Sequence, residues 1–223
     1  MSDTPFLGGP VRGAKNLPAS IAGKKAAALP LESETKAKRW EVKRPKPPAH
    51  HVVLVLDRSG SMDDCLEAAK RGAVGFAREA LEKDYLVGMV VFNDLSYTLI
   101  ERTKNLDEVR NAVSGVYASG GTTLCPALLQ ADQLLAMAPF PKVICLVTDG
   151  HPHGRSDALG LADSLKRRGF EILALGLEGA DMSFLGNIAS GSDLVDRKPA
   201  VEAEEAITGM AKLLPLPGPK RGA

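Results

Sequence analysis

Asp57 closes an unbroken apolar run, Val52-Val53-Leu54-Val55-Leu56, and two serines follow it at +2 and +4 in the stretch LDRSGSM. A second apolar run, in KVICLVTDG, ends the same way on Asp149. An ionised carboxylate at the end of a buried strand carries a desolvation cost unless something meets its charge. If the two strands are neighbours, both carboxylates share one rim and repel, and a divalent cation resolves that cost. In an extended loop Ser59 and Ser61 fall on the same side, so both hydroxyls can turn toward a point just past Asp57. The loop SGGTT adds a hydroxyl from Thr122, where Gly120 and Gly121 let the backbone approach closely. Carboxylate and hydroxyl oxygens are hard donors that suit Mg2+, with Mn2+ or Ca2+ able to take its place. The plainer reading makes Asp57 and Ser59 a strand cap and Ser61 a helix N-cap. It accounts for one loop and leaves the other two unexplained.

The elements that must position these residues follow from hydrophobic period. HVVLVLD, YLVGMVVF, KVICLVTD and EILALG read as buried strands, and SYTLIER as the hairpin partner of the second, across Asn93-Asp94. Helical faces recur at Leu66, Ala69, Ala73, Phe76 and Ala80; at Leu106, Val109, Val113 and Val116; and at Leu124, Leu128, Ala131, Leu135 and Ala138. Leu159, Ala162 and Leu165 mark another helix, stopped by Gly169. DMSFLGNIA is a short helix, DLVDR a weak strand, and Ala203, Ala206, Ile207, Met210 and Leu213 mark the last helix. Gly72 and Gly75 inside the first helix imply close packing on the sheet. Strands buried on both faces and separated by amphipathic helices make an α/β fold. The expected architecture is a doubly wound, mostly parallel, Rossmann-like central sheet with one antiparallel edge strand and helices on both faces. Ligands of such sheets bind beyond the carboxyl ends of the strands, where strand order reverses, and both acids belong there.

Asp57-x-Ser59-x-Ser61, then Gly121-Thr122, then Thr148-Asp149-Gly150 after a strand, resemble the von Willebrand factor type A (vWA, or integrin I-like) domain. The resemblance covers about residues 50–214, and three motifs in order at strand ends and a helix start make it specific. It implies a metal-ion-dependent adhesion site (MIDAS) formed by Asp57, Ser59, Ser61, Thr122 and Asp149. Ser59 and Ser61 would bind the metal directly, and Asp57 would act mainly through water and by orienting the serines. Thr122 and Asp149 would exchange direct and water-mediated contact between states; Thr123 is the runner-up to Thr122. An Asp or Glu of a protein partner would fill the remaining coordination position. By the same analogy the chain resembles small stand-alone bacterial vWA proteins that work with MoxR-type ATPases or similar assemblies.

Around these motifs, several residues have plainer readings. Asp63-Asp64 read as first-turn acids favoured by the helix dipole. His151 and His153 read as a polar loop, since two imidazoles without a third ligand do not make a strong zinc site. Arg58 and Arg155 read as solvated surface charge, and Cys125 as a packed thiol rather than a nucleophile.

The 223 residues suffice for one well-buried domain with tails. Residues 1–48 form a basic, Pro/Gly-rich arm with ten Lys/Arg against four Asp/Glu, and a short edge strand is expected within its AKRWEVKR stretch. The vWA body is expected over 49–214 and a tail over 215–223. The rest of the chain after 48 carries eighteen Lys/Arg against twenty-three Asp/Glu, so a basic arm precedes an acidic body. The arm lacks interleaved aromatics, which disfavours nucleic acid as a partner. No apolar run reaches membrane-spanning length and the N-terminus has no apolar core of a secretory signal, so no membrane partner is expected. Three cysteines without a CxxC spacing fit reduced thiols in a cytoplasmic protein.

The expected function is a non-enzymatic, Mg2+-dependent protein-binding module. One alternative is a metal-dependent hydrolase or phosphatase using Asp57, although a phosphatase of the haloacid dehalogenase kind would want a second Asp where Ser59 stands. Walker A, GxGxxG and GxSxG motifs are absent. The other alternative is a nucleic-acid-associated scaffold acting through the basic arm.

Overall fold

The computed structural model describes residues 50–216. The basic arm, the edge strand expected in it, and residues 217–223 of the tail lie outside the described residues. Six strands form one sheet: β1 (His50–Asp57), β2 (Tyr85–Phe92), β3 (Ser96–Thr103), β4 (Lys142–Thr148), β5 (Phe170–Gly176) and β6 (Val195–Arg197). Their order is β3-β2-β1-β4-β5-β6. Only the β2–β3 hairpin is antiparallel; every other pair is parallel. The fold is therefore the doubly wound α/β sheet with one antiparallel edge.

Helices α1 (Leu66–Glu82), α2 (Leu106–Ser114), α3 (Leu124–Leu135), α4 (Arg155–Arg167), α5 (Met182–Ile188) and α6 (Ala203–Met210) cover it. Strand alternation divides the core. Val52, Leu54 and Leu56 face the layer of α1, α2 and α6, while Val53 and Val55 face that of α3, α4 and α5. All five are fully buried, and each contributes about 1.5–3 kcal/mol. Val116 and Ala138 lie just past the ends of α2 and α3, yet both are buried, so the apolar period runs beyond the helical hydrogen bonds. Gly169 follows α4 with φ of +85°, the left-handed conformation that ends a helix without a Cβ clash.

Gly72 and Gly75 depart from expectation. They face α6, not the sheet. A Cβ on Gly72 would lie 2.9 Å from the Glu204 carbonyl oxygen and from Ile207 Cβ; one on Gly75 would lie 2.2 Å from Thr208 Oγ1. A period in one helix shows which face is crowded, not which neighbour crowds it.

β1 and β4 are central neighbours in parallel register, Leu56 opposite Val147. Chain order runs outward from β1 to β2 and β3 on one side and from β4 to β5 and β6 on the other. The reversal between β1 and β4 leaves a crevice at their carboxyl ends, and Asp57 and Asp149 stand there.

Candidate metal centre

Asp57 is the last residue of β1 and is fully buried. Its Oδ1 accepts a hydrogen bond from the Ser59 backbone N–H at 2.7 Å, and its Oδ2 accepts one from Thr148 Oγ1 at 2.5 Å. Burial pushes its carboxyl up to about 6, against the lowering effect of those hydrogen bonds; the neighbouring Asp149 adds to the rise. Asp149, one residue past β4, is also raised, chiefly by burial, and its hydrogen bond from Ser61 pulls the other way. Among the described residues neither acid forms an ion pair, so their negative charge is met only by hydroxyls and backbone.

The serines close the circuit. Ser61 Oγ donates to Asp149 Oδ1 at 2.8 Å, and Ser59 Oγ lies 3.1 Å from Ser61 Oγ. Because the single Ser61 proton goes to Asp149, Ser59 is the donor between the two hydroxyls. Neither serine caps a helix: the turn Gly60–Asp64 has no side-chain cap, and α1 starts at Leu66 after Cys65. The cap reading of this loop is thus replaced by hydrogen bonding across to the β4 loop. Gly60–Asp64 is a short 3-10 helix whose first-turn acid is Asp63, as expected; Asp64 ends it, and the first-turn acid of α1 is Glu67.

Thr122 is buried, and its Oγ1 would sit 3.0 Å from a Cβ at Gly150. It therefore faces the β4 loop, closely enough that a side chain at Gly150 would crowd its hydroxyl. Among the described residues its hydroxyl makes no hydrogen bond. Thr123 occupies the N-cap position of α3, and its N–H donates to the Asn93 carbonyl at 2.7 Å. Asp57 and Ser59 are the floor, Thr122 and Asp149 the walls, and Ser61 the exposed lip. All five expected residues converge, although they come from three loops up to 92 positions apart.

These donors are two carboxylates and three hydroxyls, a hard-oxygen set suited to Mg2+ and poor for softer metals. Among the described residues no group of three or more His, Cys, Asp or Glu is placed to hold a metal, so a nitrogen or sulfur site has no support. The hydroxyls fit a cation as well, because a hydroxyl oxygen keeps lone pairs whether or not its proton is donated.

Other residues hold this arrangement through contacts that the turn, motif and loop assignments from sequence did not include. Asn93 donates to the Ser119 carbonyl at 2.8 Å, and Asp94 Oδ2 accepts from the Gly121 N–H at 2.9 Å. Together they tie the β2–β3 turn to the Thr122 loop. The turn rule for Asn accounts only for the local bond from the Leu95 N–H to Asn93 Oδ1 at 3.0 Å, not for these longer reaches. Thr148 needed the β1–β4 pairing to be noticed. His153 pins the Thr122 carbonyl with its backbone N–H at 2.7 Å, and His151 lies 3.8 Å from Asp181.

Arg58 is not the solvated charge expected, whereas Arg155 is exposed as expected. Arg58 is 8 % exposed, between the rings of Tyr97 and Tyr117. Arg155 pairs with Asp181 at 2.6 Å over the Phe184 ring. The Cys125 thiol is raised by burial and by Asp157, which makes it a poor nucleophile.

Comparison with known proteins follows this geometry. A family model described as the von Willebrand factor type A domain matches residues 51–208. An uncharacterized protein of Synechocystis sp. is 34% identical over 113 residues, 48% of this chain and 27% of its own length. The human collagen alpha-6(VI) chain is 28% identical over 158 residues, 64% of this chain but 7% of its own. The chain thus spans about a quarter or less of these curated relatives. Among solved structures, the vWF domain of the type V pili tip protein Mfa5 of Porphyromonas gingivalis superposes with a TM-score of 0.66 at 13% identity, over 75% of this chain and 95% of that one. BatB of Bacteroides thetaiotaomicron gives 0.59 at 19% identity, over 74% and 98%. At such identities the likeness is one of fold. Among the described residues, no helix is long and apolar enough to cross a membrane.

Proposed function

We propose, since the chain belongs to the von Willebrand factor type A domain family, that it is a protein-binding module whose rim holds Mg2+ and docks an acidic side chain of a partner. The observation that carries this reading is the hydrogen-bonded convergence of Asp57, Ser59, Ser61 and Asp149 at the switch point, with Thr122 beside them. Bound there, Mg2+ supplies an electrophilic position for a carboxylate oxygen. Ser59 and Ser61 offer direct donor oxygens, and Asp57 orients Ser59 through its backbone N–H and supplies charge from below. Thr122 and Asp149 flank the open side and set how much negative charge the cation already sees. Fewer direct carboxylates leave more of its charge for a partner's acid. The exposed position of Ser61 at the lip leaves that side accessible to a protein surface.

Membership in an intracellular assembly of the MoxR-associated kind, with no catalytic activity of its own, is part of the same proposal and rests on family analogy.

Thermal unfolding in Mg2+ and in EDTA tests the site. The expected result is a higher midpoint in Mg2+, by several degrees at saturating concentration, that vanishes in Asp57→Ala. Capture of partners by the full chain should likewise depend on Mg2+ and on Asp57. Equal stabilisation of wild type and variant sinks the metal assignment, and partners held equally in EDTA sink the docking role.

A further inference from the structure

We propose that Tyr97 and Tyr117, stacked on Arg58, form a rigid aromatic subsite beside the metal rim. It would select partners that carry an aromatic or branched aliphatic residue within a few positions of the metal-binding acid. The proposal rests on the docking function above and specifies its partner.

Arg58 lies between two residues of the metal set, Asp57 and Ser59. Its backbone is fixed on both sides: its N–H donates to the Phe92 carbonyl at 2.8 Å, and its carbonyl accepts from the Ser119 N–H at 2.9 Å. Its guanidinium carbon lies 5.4 Å from the centroid of Tyr97 and 5.3 Å from that of Tyr117. One end nitrogen, Nη1, donates to the Tyr117 carbonyl at 3.2 Å and to Ser119 Oγ at 3.1 Å. The side chain is thus a pillar that locks two rings from different elements, β3 and the segment after α2.

Two features define the patch. Arg58 Nε is buried with no hydrogen-bond partner, so the guanidinium is held by the two rings and by the bonds of Nη1. The rings it holds remain open: Tyr97 is 40 % exposed, Tyr117 67 %, and Leu95 nearby in the same hairpin 73 %. Exposed tyrosines held in one orientation lose little entropy on binding and supply large contact areas.

Charge complementarity selects the occupant. Arg58 and a metal one residue away both attract an acidic segment, and the ring faces add an apolar contact to it. Tyr97 pairs with Val91, and Val91 with Leu56, the residue before Asp57, so the Tyr97 backbone lies two strands, about 10 Å, across the sheet from the rim. One extended stretch of partner chain, advancing about 3.3 Å per residue, can reach both.

The test uses a peptide library with one central Asp or Glu and randomised flanks, passed over immobilised full-length protein in Mg2+ and in EDTA. Wild type is compared with Tyr97→Ser and Tyr117→Ser, after thermal melts show that the variants are folded. Peptides retained only in Mg2+ should be enriched in Phe, Tyr, Trp or Leu within three positions of the acid. That enrichment should fall about tenfold in each variant, while the Mg2+ thermal shift stays as in wild type. Mg2+-dependent retention with no apolar preference, or with a preference that survives both substitutions, overturns this proposal alone. If no acidic peptide is retained in Mg2+, the docking function fails and this proposal fails with it.

Discussion

Asp57 shows how a charge is kept at the bottom of a site. It is fully buried, yet two hydrogen bonds hold its carboxyl near 6 despite desolvation. Thr148 is the partner that only the β1–β4 pairing supplies. In Thr148→Val, Asp57 loses a buried donor, at a cost of about 1–3 kcal/mol near pH 7 in EDTA. Losing that bond raises the Asp57 pKa further. A raised carboxyl gives stability that is present below its unfolded value near 4 and is lost as pH rises through the folded value. The deficit should therefore be larger at pH 7.5 than at pH 5. Urea unfolding at the two pH values checks the sign, and an equal deficit at both would show that Asp57 does not carry the effect. Arg58 teaches a different lesson. In the sequence it is one more basic residue in a loop, and nothing in its type predicts the ring on each side.

At the scale of elements, the α1–α6 contact depends on two missing Cβ atoms. At Gly72 the intruding methyl would meet the backbone of Glu204 and the Cβ of Ile207, neither of which can swing away. At Gly75 it would meet the hydroxyl of Thr208, the end of a side chain. Alanine would gain about 1 kcal/mol of helix propensity at either position. At Gly72 overpacking, typically 1–3 kcal/mol, should exceed that gain, so Gly72→Ala is expected to be destabilising. Gly75→Ala should be restored toward wild type by adding Thr208→Ala, which removes the clashing oxygen. Chemical denaturation of the three variants decides this. If Gly72→Ala proves more stable than wild type, the close crossing of α1 and α6 is wrong.

Across the whole described body, the two ends of the sheet carry opposite pH responses. His51, near the start of β1 and far along the strand from the metal rim, is buried, and its pKa is lowered to about 4, first by burial and then by Arg102. Arg102 Nη1 lies 2.8 Å from His51 Nδ1, and since arginine can only donate, that nitrogen accepts and the ring is neutral. A lowered folded pKa gives stability that is complete above the unfolded value of about 6.5 and is lost as pH falls toward 4. Asp57 responds in the opposite sense over the same range. Comparing wild type with His51→Gln in EDTA cancels the Asp57 contribution. The variant should gain relative to wild type, by on the order of 2 kcal/mol, between pH 7 and pH 4.5. A stability difference that does not change with pH would remove His51 from the account.

The α/β class, the hairpin edge and the identity of the five rim residues were legible because strand burial, helix period and hydroxyl spacing are local along the chain. VVLVL ending on Asp57 and ICLVT ending on Asp149 announce buried strands with costly ends, whatever surrounds them. Which residues stabilise those ends was not legible, because it depends on contacts between residues far apart in sequence. Thr148 reaches Asp57 from 91 positions away, Asn93 and Asp94 fasten the Thr122 loop from more than 25, and Gly72 answers to a helix more than 130 residues later. The donor types of the proposed metal set are readable in the sequence because donor chemistry belongs to single residues. The sandwich of Arg58 between Tyr97 and Tyr117 belongs to the packed fold, since cation and rings meet only after β3 and the segment following α2 have closed around the β1 loop.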